Sequence, residues 1–299
     1  MLNLDKYKTK EDCQRDIDLL ESMGVTPPPE LLKKLKAFED AENSTTPIWD
    51  TLKLHYPFGV MPEEKVKCVE ETVAKLMETG PHAEEPGLLL GKIQCGKTDT
   101  FEDIIGLAFD KGIDIAIVLT KGTKALVNQT IKRMKKDFHY FVDSDRLDQR
   151  TTIKIYDIMD KGRNLTPAKV EGCKTAIVCK KNSANLAHLI DLFEKKSPSL
   201  KSKKVLIVDD EADFASRNYR TVKQQGKVDT DGKPLSQISE SELAKIAQQI
   251  DNFREIPEFC RYLQVTATPY CLYLQPNGEL NLNGNIVKPF RPRFTSLVP

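Results

Sequence analysis

The stretch Gly91-Lys-Ile-Gln-Cys-Gly96-Lys97-Thr98 brings together residue types that suit phosphate chemistry. It fits G-x-x-x-x-G-K-[ST], follows an apolar run at Gly87–Leu90 and opens a helical pattern. Each position has a physical reason. Glycines let the backbone wrap a phosphate with its N–H groups turned inward, and the helix N-terminus adds a potential that favours an anion. Lys97 can reach the β- and γ-phosphates, and the Thr98 hydroxyl can ligate Mg²⁺. The loop residues Gly91, Gln94, Cys95, Gly96, Lys97 and Thr98 are therefore expected to hold ATP, with Lys97 also acting in catalysis.

A second set lies at Val205-Leu-Ile-Val-Asp-Asp210-Glu211-Ala212-Asp213, an apolar run that ends in acids. Behind a phosphate loop, Asp210 is expected to hold the magnesium and Glu211 to orient the attacking water. Phosphoryl transfer depends mainly on such positioning and charge stabilisation. Acids at a strand end are otherwise ordinary in a solvated loop or a helix N-terminus. A third set, Gln264-Val-Thr266-Ala267-Thr268-Pro269, also closes an apolar run. Thr266 and Thr268 could bridge the acids to a part that moves on hydrolysis, although Ser/Thr beside Pro is common in turns.

The elements that must position these sets are short apolar runs separated by helical patterns. The runs are Gly87–Leu90, Ile113–Leu119, Thr152–Ile155, Thr175–Cys179, Val205–Val208 and Tyr262–Thr266; the helical patterns cover 98–111, 124–138, 184–195 and 240–254. Runs apolar on both sides, alternating with helices, imply an α/β fold with a mostly parallel sheet covered on both faces. Upstream, apolar spacings of three and four predict two helices within 1–42, split at Thr26-Pro27-Pro28-Pro29, and another over 63–79. Segment 43–62 reads as a loop holding Trp49, 216–239 as a polar insertion, and Pro276-Asn277-Gly278 as a hairpin turn.

Bulk composition excludes less than it suggests. With 45 basic and 44 acidic residues among 299, the formal charge is +1, so nucleic-acid binding cannot be inferred from charge. Seven cysteines without a CxxC pair argue against a disulfide framework or zinc site and for a reducing, cytoplasmic setting. No apolar run is long enough to span a bilayer, so no membrane association is expected.

The ordered set GKT, DEAD and TATP resembles superfamily 2 helicases and translocases. The stretch from Gly87 to Met134, with Gln94-Cys95 in the loop, Leu119-Thr120 at a strand end and Leu126–Thr130 beyond, looks like the phosphate-loop region of Z1-domain proteins. VDDEADFAS and the strand into TATPY are similar to that group's second and third motifs; the likeness covers roughly 86–272. It implies a RecA-like P-loop NTPase domain over 86–290, preceded by a helical region over 1–85 and followed by a tail over 291–299. It also implies a DNA-translocating motor lobe in a restriction or phage-defence setting, with Thr120 and Gln129 toward nucleic acid and a nuclease or other defence subunit as partner. The alternatives are a nucleotide-gated switch or scaffold, or the ATPase part of an endonuclease complex.

One departure matters. Such motors use a second RecA-like lobe that supplies arginines to the transferring phosphate. Only about 30 residues follow TATP, and Arg291 and Arg293 sit there without a surrounding motif. The chain is therefore expected to be a fragment or to rely on another subunit, and to hydrolyse ATP weakly by itself. Other chemistry-bearing residues have plainer readings. Glu194-Lys195-Lys196 beside Asp191 and the cluster Lys132, Arg133, Lys135, Lys136 suit solvated helix faces. Trp49, Tyr56 and Phe58 suit either adenine stacking or anchorage of the N-terminal helices.

Overall fold

The computed structural model describes residues 6–7, 9–56, 60–79, 85–92, 96–121, 123–142, 151–160, 165–170, 172–213, 240–275, 278–282, 284–289 and 291–299. All six apolar runs are strands of one sheet: β1 (Gly87–Leu90), β2 (Ile115–Thr120), β3 (Ile153–Asp157), β4 (Lys174–Lys180), β5 (Lys204–Asp210) and β6 (Phe259–Thr266). Two further strands, β7 (Leu280–Leu282) and β8 (Asn285–Val287), pair antiparallel as a separate hairpin. A last strand, β9 (Phe294–Leu297), joins the large sheet, whose order is β3-β4-β2-β5-β6-β1-β9. Every pairing in it is parallel.

Parallel neighbours need crossovers, and here helices supply them. Side chains alternate across each strand, so Ala116 and Val118 enter one core while Ile115, Ile117 and Leu119 enter the other. The first core is closed by α3 (Pro47–His55), α4 (Glu63–Met77), α5 (Lys97–Asp110) and α6 (Lys124–Asp137). On the opposite face, beyond the short α7 (Pro167–Val170), lie α8 (Ser183–Asp191) and α9 (Glu240–Glu255), whose Leu186, Leu189, Ile246 and Phe253 are buried there. All six residues of β2 are buried, as expected where helices cover both faces.

Before the sheet, α1 (Lys10–Ser22) and α2 (Pro29–Glu42) form a small core of Tyr7, Cys13, Ile17, Leu31 and Phe38. Thr9 starts α1 in a capping box with Asp12, and Pro29 starts α2 where its missing N–H costs nothing. Among the described residues no helix is long and apolar enough to cross a membrane.

The structure departs from the sequence reading in four places. The supposed loop 43–62 contains α3, whose Ile48, Trp49 and Leu52 are buried. Its first backbone donors are capped from a distance: the Ile48 and Trp49 N–H groups donate to Asp110 (3.2 and 2.8 Å). Gly106 of α5 lets this helix close, because a Cβ there would lie 2.6 Å from Leu52 Cδ1. The tail also proves to contain β9, seated on β1 where Gly87 faces the Phe294 ring. The hairpin turns at Gly284 (φ 86°) rather than at Gly278, and Pro276 and Asn277 lie outside the described residues. Residues 192–196 leave the α-helix as a single wide π turn. The polar insertion 216–239 lies outside the described residues.

Candidate nucleotide site

In this strand order β6 separates β1 from β5, so the three carboxyl ends that carry the motifs lie side by side. That edge is where parallel α/β sheets take ligands.

On the β1 side, the buried Gly91 donates its N–H to the Thr266 carbonyl (3.2 Å), tying the start of the loop to β6. Gly96 precedes α5 in the left-handed region at φ 83°, a conformation open to glycine at little cost. Lys97 then opens α5, placing its side chain and the half-buried Thr98 at the positive end of a helix of 14 residues. The Lys97 ammonium donates to the Gly91 and Lys92 carbonyls (3.2 and 2.9 Å), so it folds back over its own loop. Gln94 and Cys95 lie outside the described residues.

On the β5 side the acids occupy three different environments. Asp209 is buried; it accepts from Lys181 Nζ at 2.8 Å and from the Tyr262 hydroxyl at 2.6 Å. Asp210 is half-buried and accepts the Glu211 N–H (3.1 Å). Burial pushes its carboxyl up to about 6; the Lys181 charge works against that rise, while the charges of Glu211 and Asp209 add to it. Glu211 is exposed and has φ 54°, the one positive value at a non-glycine position among the described residues. Such a conformation crowds Cβ against the following carbonyl and needs support from its surroundings.

Asp213, buried two residues after Glu211, links the second and third motifs. It accepts from the Thr266 hydroxyl (3.0 Å) and the Thr268 hydroxyl (2.7 Å), while Thr268 N–H donates to Thr266 Oγ1 (3.0 Å). The Ala212 N–H donates to the Val265 carbonyl (3.0 Å), so both backbone and side chains join the acid turn to β6.

Lys97 and Thr98 thus lie at the end of one strand and Asp210 and Glu211 at the end of another, with Thr266 and Thr268 on the strand between. The two residues expected toward nucleic acid lie apart from this set. The Thr120 side chain is buried and its hydroxyl donates to the Lys121 carbonyl (3.3 Å), so it does not face outward. Gln129 is exposed on α6. Within the basic cluster, Lys132, Lys135 and Lys136 are exposed, but Arg133 turns inward to a group of Asp99, Glu102 and Asp137. Those carboxylates lie within 4.8 Å of one another, and the guanidinium already answers them. Glu102 is buried there, and burial, together with the neighbouring Asp137 carboxylate, pushes its carboxyl up to about 10. Trp49 is buried with its indole N–H on Glu70 (3.0 Å), which favours anchorage over stacking on a base; Phe58 lies outside the described residues.

Sequence reasoning assigned nothing to Lys181, Asp209 and Tyr262, yet they underlie the acid turn. A Lys at the end of an apolar strand reads as a solvated terminus, and no spacing in the sequence signals its burial. A cavity of about 930 Å³ lies instead against the N-terminal helices, lined by Lys10, Glu42, Asp110, Tyr140 and Lys174, and none of the motif residues borders it.

No protein-family model matches the sequence, and neither does any curated protein. Among solved structures, the chain is similar to the DUF1998 helicase MrfA bound to DNA, at 14% identity and a TM-score of 0.46, covering 86% of this chain and 28% of that one. For the Hef helicase domain of Pyrococcus furiosus the values are 16% and 0.36, over 67% of this chain and 33% of that one. For Dbp5 of S. cerevisiae bound to RNA and ADP BeF3 they are 16% and 0.37, over 78% and 46%. The chain therefore spans between about a quarter and a half of the structures it matches. By strand order and register it has the α/β, RecA-like arrangement expected from its sequence, a parallel sheet with helices on both faces and further helices before it.

Proposed function

We propose that this chain is the ATP-binding motor lobe of a superfamily 2 helicase-like DNA translocase of the Z1 kind, acting with a second lobe and, in a restriction or phage-defence setting, with a nuclease. The observation that carries the nucleotide part is the adjacency of three motif-bearing strand ends, with Asp213 bonded to both Thr266 and Thr268. The motif residues suit the expected ligands. A half-buried hydroxyl at a helix start and a half-buried carboxylate offer the hard oxygen donors that Mg²⁺ requires. When bound, Mg²⁺ would neutralise charge on the β- and γ-phosphates.

In this reading the chain's own groups act as follows. Backbone N–H groups of the loop and the start of α5 surround the phosphates. Lys97 exchanges the Gly91 and Lys92 carbonyls for phosphate oxygens. Thr98 and Asp210 hold the metal, and Glu211 accepts a hydrogen bond from the attacking water and orients it. Thr266 and Thr268, through Asp213, carry changes at the acid turn into β6. The exposed Gln129 and the exposed lysines of α6 are the groups on that helix placed to meet a phosphate backbone, while Thr120 would have to rearrange to do so.

The test is ATP turnover by the full-length protein with and without DNA, beside Lys97→Ala and Glu211→Gln. Turnover that DNA stimulates and either substitution abolishes is expected. DNA-independent turnover would favour a nucleotide-gated switch, and DNA cleavage by this chain alone would place it in an endonuclease complex as the cutting subunit.

A further inference from the structure

Lys181 follows the last residue of β4, and its backbone N–H donates to the Thr120 carbonyl at the end of β2 (2.9 Å). β2 lies between β4 and β5, so the Lys181 side chain spans the end of β2 to reach the acid turn. That side chain is wholly buried, which is rare for lysine unless polar partners surround it. Three acceptors face its ammonium: Asp209 Oδ1 at 2.8 Å, the Asp210 carbonyl at 2.6 Å and the Glu211 carbonyl at 2.8 Å. They match the three N–H donors of an ammonium group.

Asp209 is the anchor of this arrangement and not a free ligand, because its second oxygen accepts from Tyr262. The two carbonyls are the more telling partners. They belong to the peptide groups on either side of the Glu211 Cα, so fixing both fixes the φ and ψ of Glu211. That residue has φ 54°, which a side chain resists, and only a held backbone keeps it there.

We propose that Lys181 is the positioning residue of the acid turn: it holds the peptides flanking Glu211 so that the Asp210 and Glu211 carboxylates keep their aim. Its bearing on hydrolysis rests on the roles proposed above for those two acids. The plainer alternative is that Lys181 only neutralises Asp209. The two part company in a charge-balanced variant, Lys181→Met with Asp209→Asn, compared with Tyr262→Phe, which removes a partner of Asp209 and leaves both carbonyl contacts.

Three measurements are made on the 299-residue chain. Amide hydrogen exchange over 210–213 is expected to speed up by at least about tenfold in the double variant, with the middle of β5 unchanged and Tyr262→Phe near wild type. Single-turnover hydrolysis with protein in excess should fall by at least about tenfold, while affinity for a fluorescent ATP analogue stays within about twofold. In the unmutated chain, ¹⁵N spectra of the Lys181 ammonium should show slow proton exchange and couplings to the Asp210 and Glu211 carbonyl carbons, so the test does not depend on the variants folding. Unchanged exchange at 210–213 in a folded double variant, or an ammonium without those couplings, would overturn the proposal. Faster exchange in a chain whose wild type never hydrolyses ATP would uphold the positioning and count against the hydrolytic reading alone.

Discussion

The two halves of the candidate site are built differently. On the β5 side, Asp209 and Asp213 are buried and both carboxylates have protein partners: Lys181 and Tyr262 on the first, Thr266 and Thr268 on the second. On the β1 side, the loop offers a glycine at φ 83°, a half-buried threonine and a lysine that satisfies itself on its own loop. The acid half is assembled before any ligand arrives, and the phosphate half has groups that a ligand can recruit. A substitution in the first should be felt in stability, and one in the second mainly in binding.

Asp213→Ala should give the largest effect. It leaves the buried Thr266 hydroxyl without its acceptor and unties the exposed Thr268 from the acid turn, and a loss of about 3 kcal/mol in unfolding free energy is expected. A denaturant titration showing less than about 1 kcal/mol would mean the acid half is not preassembled. Glu102→Gln, beneath the phosphate half, should act in the opposite direction. Glu102 has a raised folded value of about 10, so the folded state keeps a proton that the unfolded chain releases above its ordinary value of 4.5. Its stability contribution is greatest below that ordinary value and is lost as pH rises toward 10. Replacing it should therefore stabilise the chain by about 2 kcal/mol at pH 7, more at pH 8.5 and hardly at pH 5. A gain independent of pH would show that Glu102 ionises freely.

Asp210 offers a pH test of the acid half. With its carboxyl raised to about 6, protons compete with a cation below that value. The Mg²⁺ concentration needed for nucleotide binding should climb by up to about tenfold between pH 6 and pH 5 and stay level above pH 7. A flat profile across that range would remove Asp210 from the metal site. Gly96→Ala should have the smallest effect, about 1 kcal/mol of stability, because a Cβ must adopt the left-handed conformation there with no contact closer than 3.7 Å. A loss of 3 kcal/mol would mean the loop is as tightly packed as the acid turn.

Much of this was legible in the sequence, for identifiable reasons. The strands could be read because both their faces are buried, which makes their apolar runs continuous. The motif residues could be read because phosphate chemistry restricts their types and spacing. α3 escaped because Pro47 and Trp49 sit in a short segment flanked by polar residues, and its cap, Asp110, is 61 residues from Trp49 in the chain. β9 escaped because four residues, Phe294 to Leu297, carry no period of their own and depend on β1 beside them. Lys181 escaped because its partners lie two strands away in the sheet and its type signals solvent. The inward turn of Arg133 was equally hidden, since its acids come from both α5 and α6.

The central claim, that the Gly91–Thr98 loop binds ATP with magnesium, is tested most directly by calorimetric titration of Mg²⁺-ATP into the 299-residue chain and into Lys97→Ala. One site per chain is expected, dependent on Mg²⁺ and weakened about a hundredfold or more by the substitution, with the unfolding midpoint unchanged. Equal affinity in both proteins, or no binding by the wild type, would contradict it.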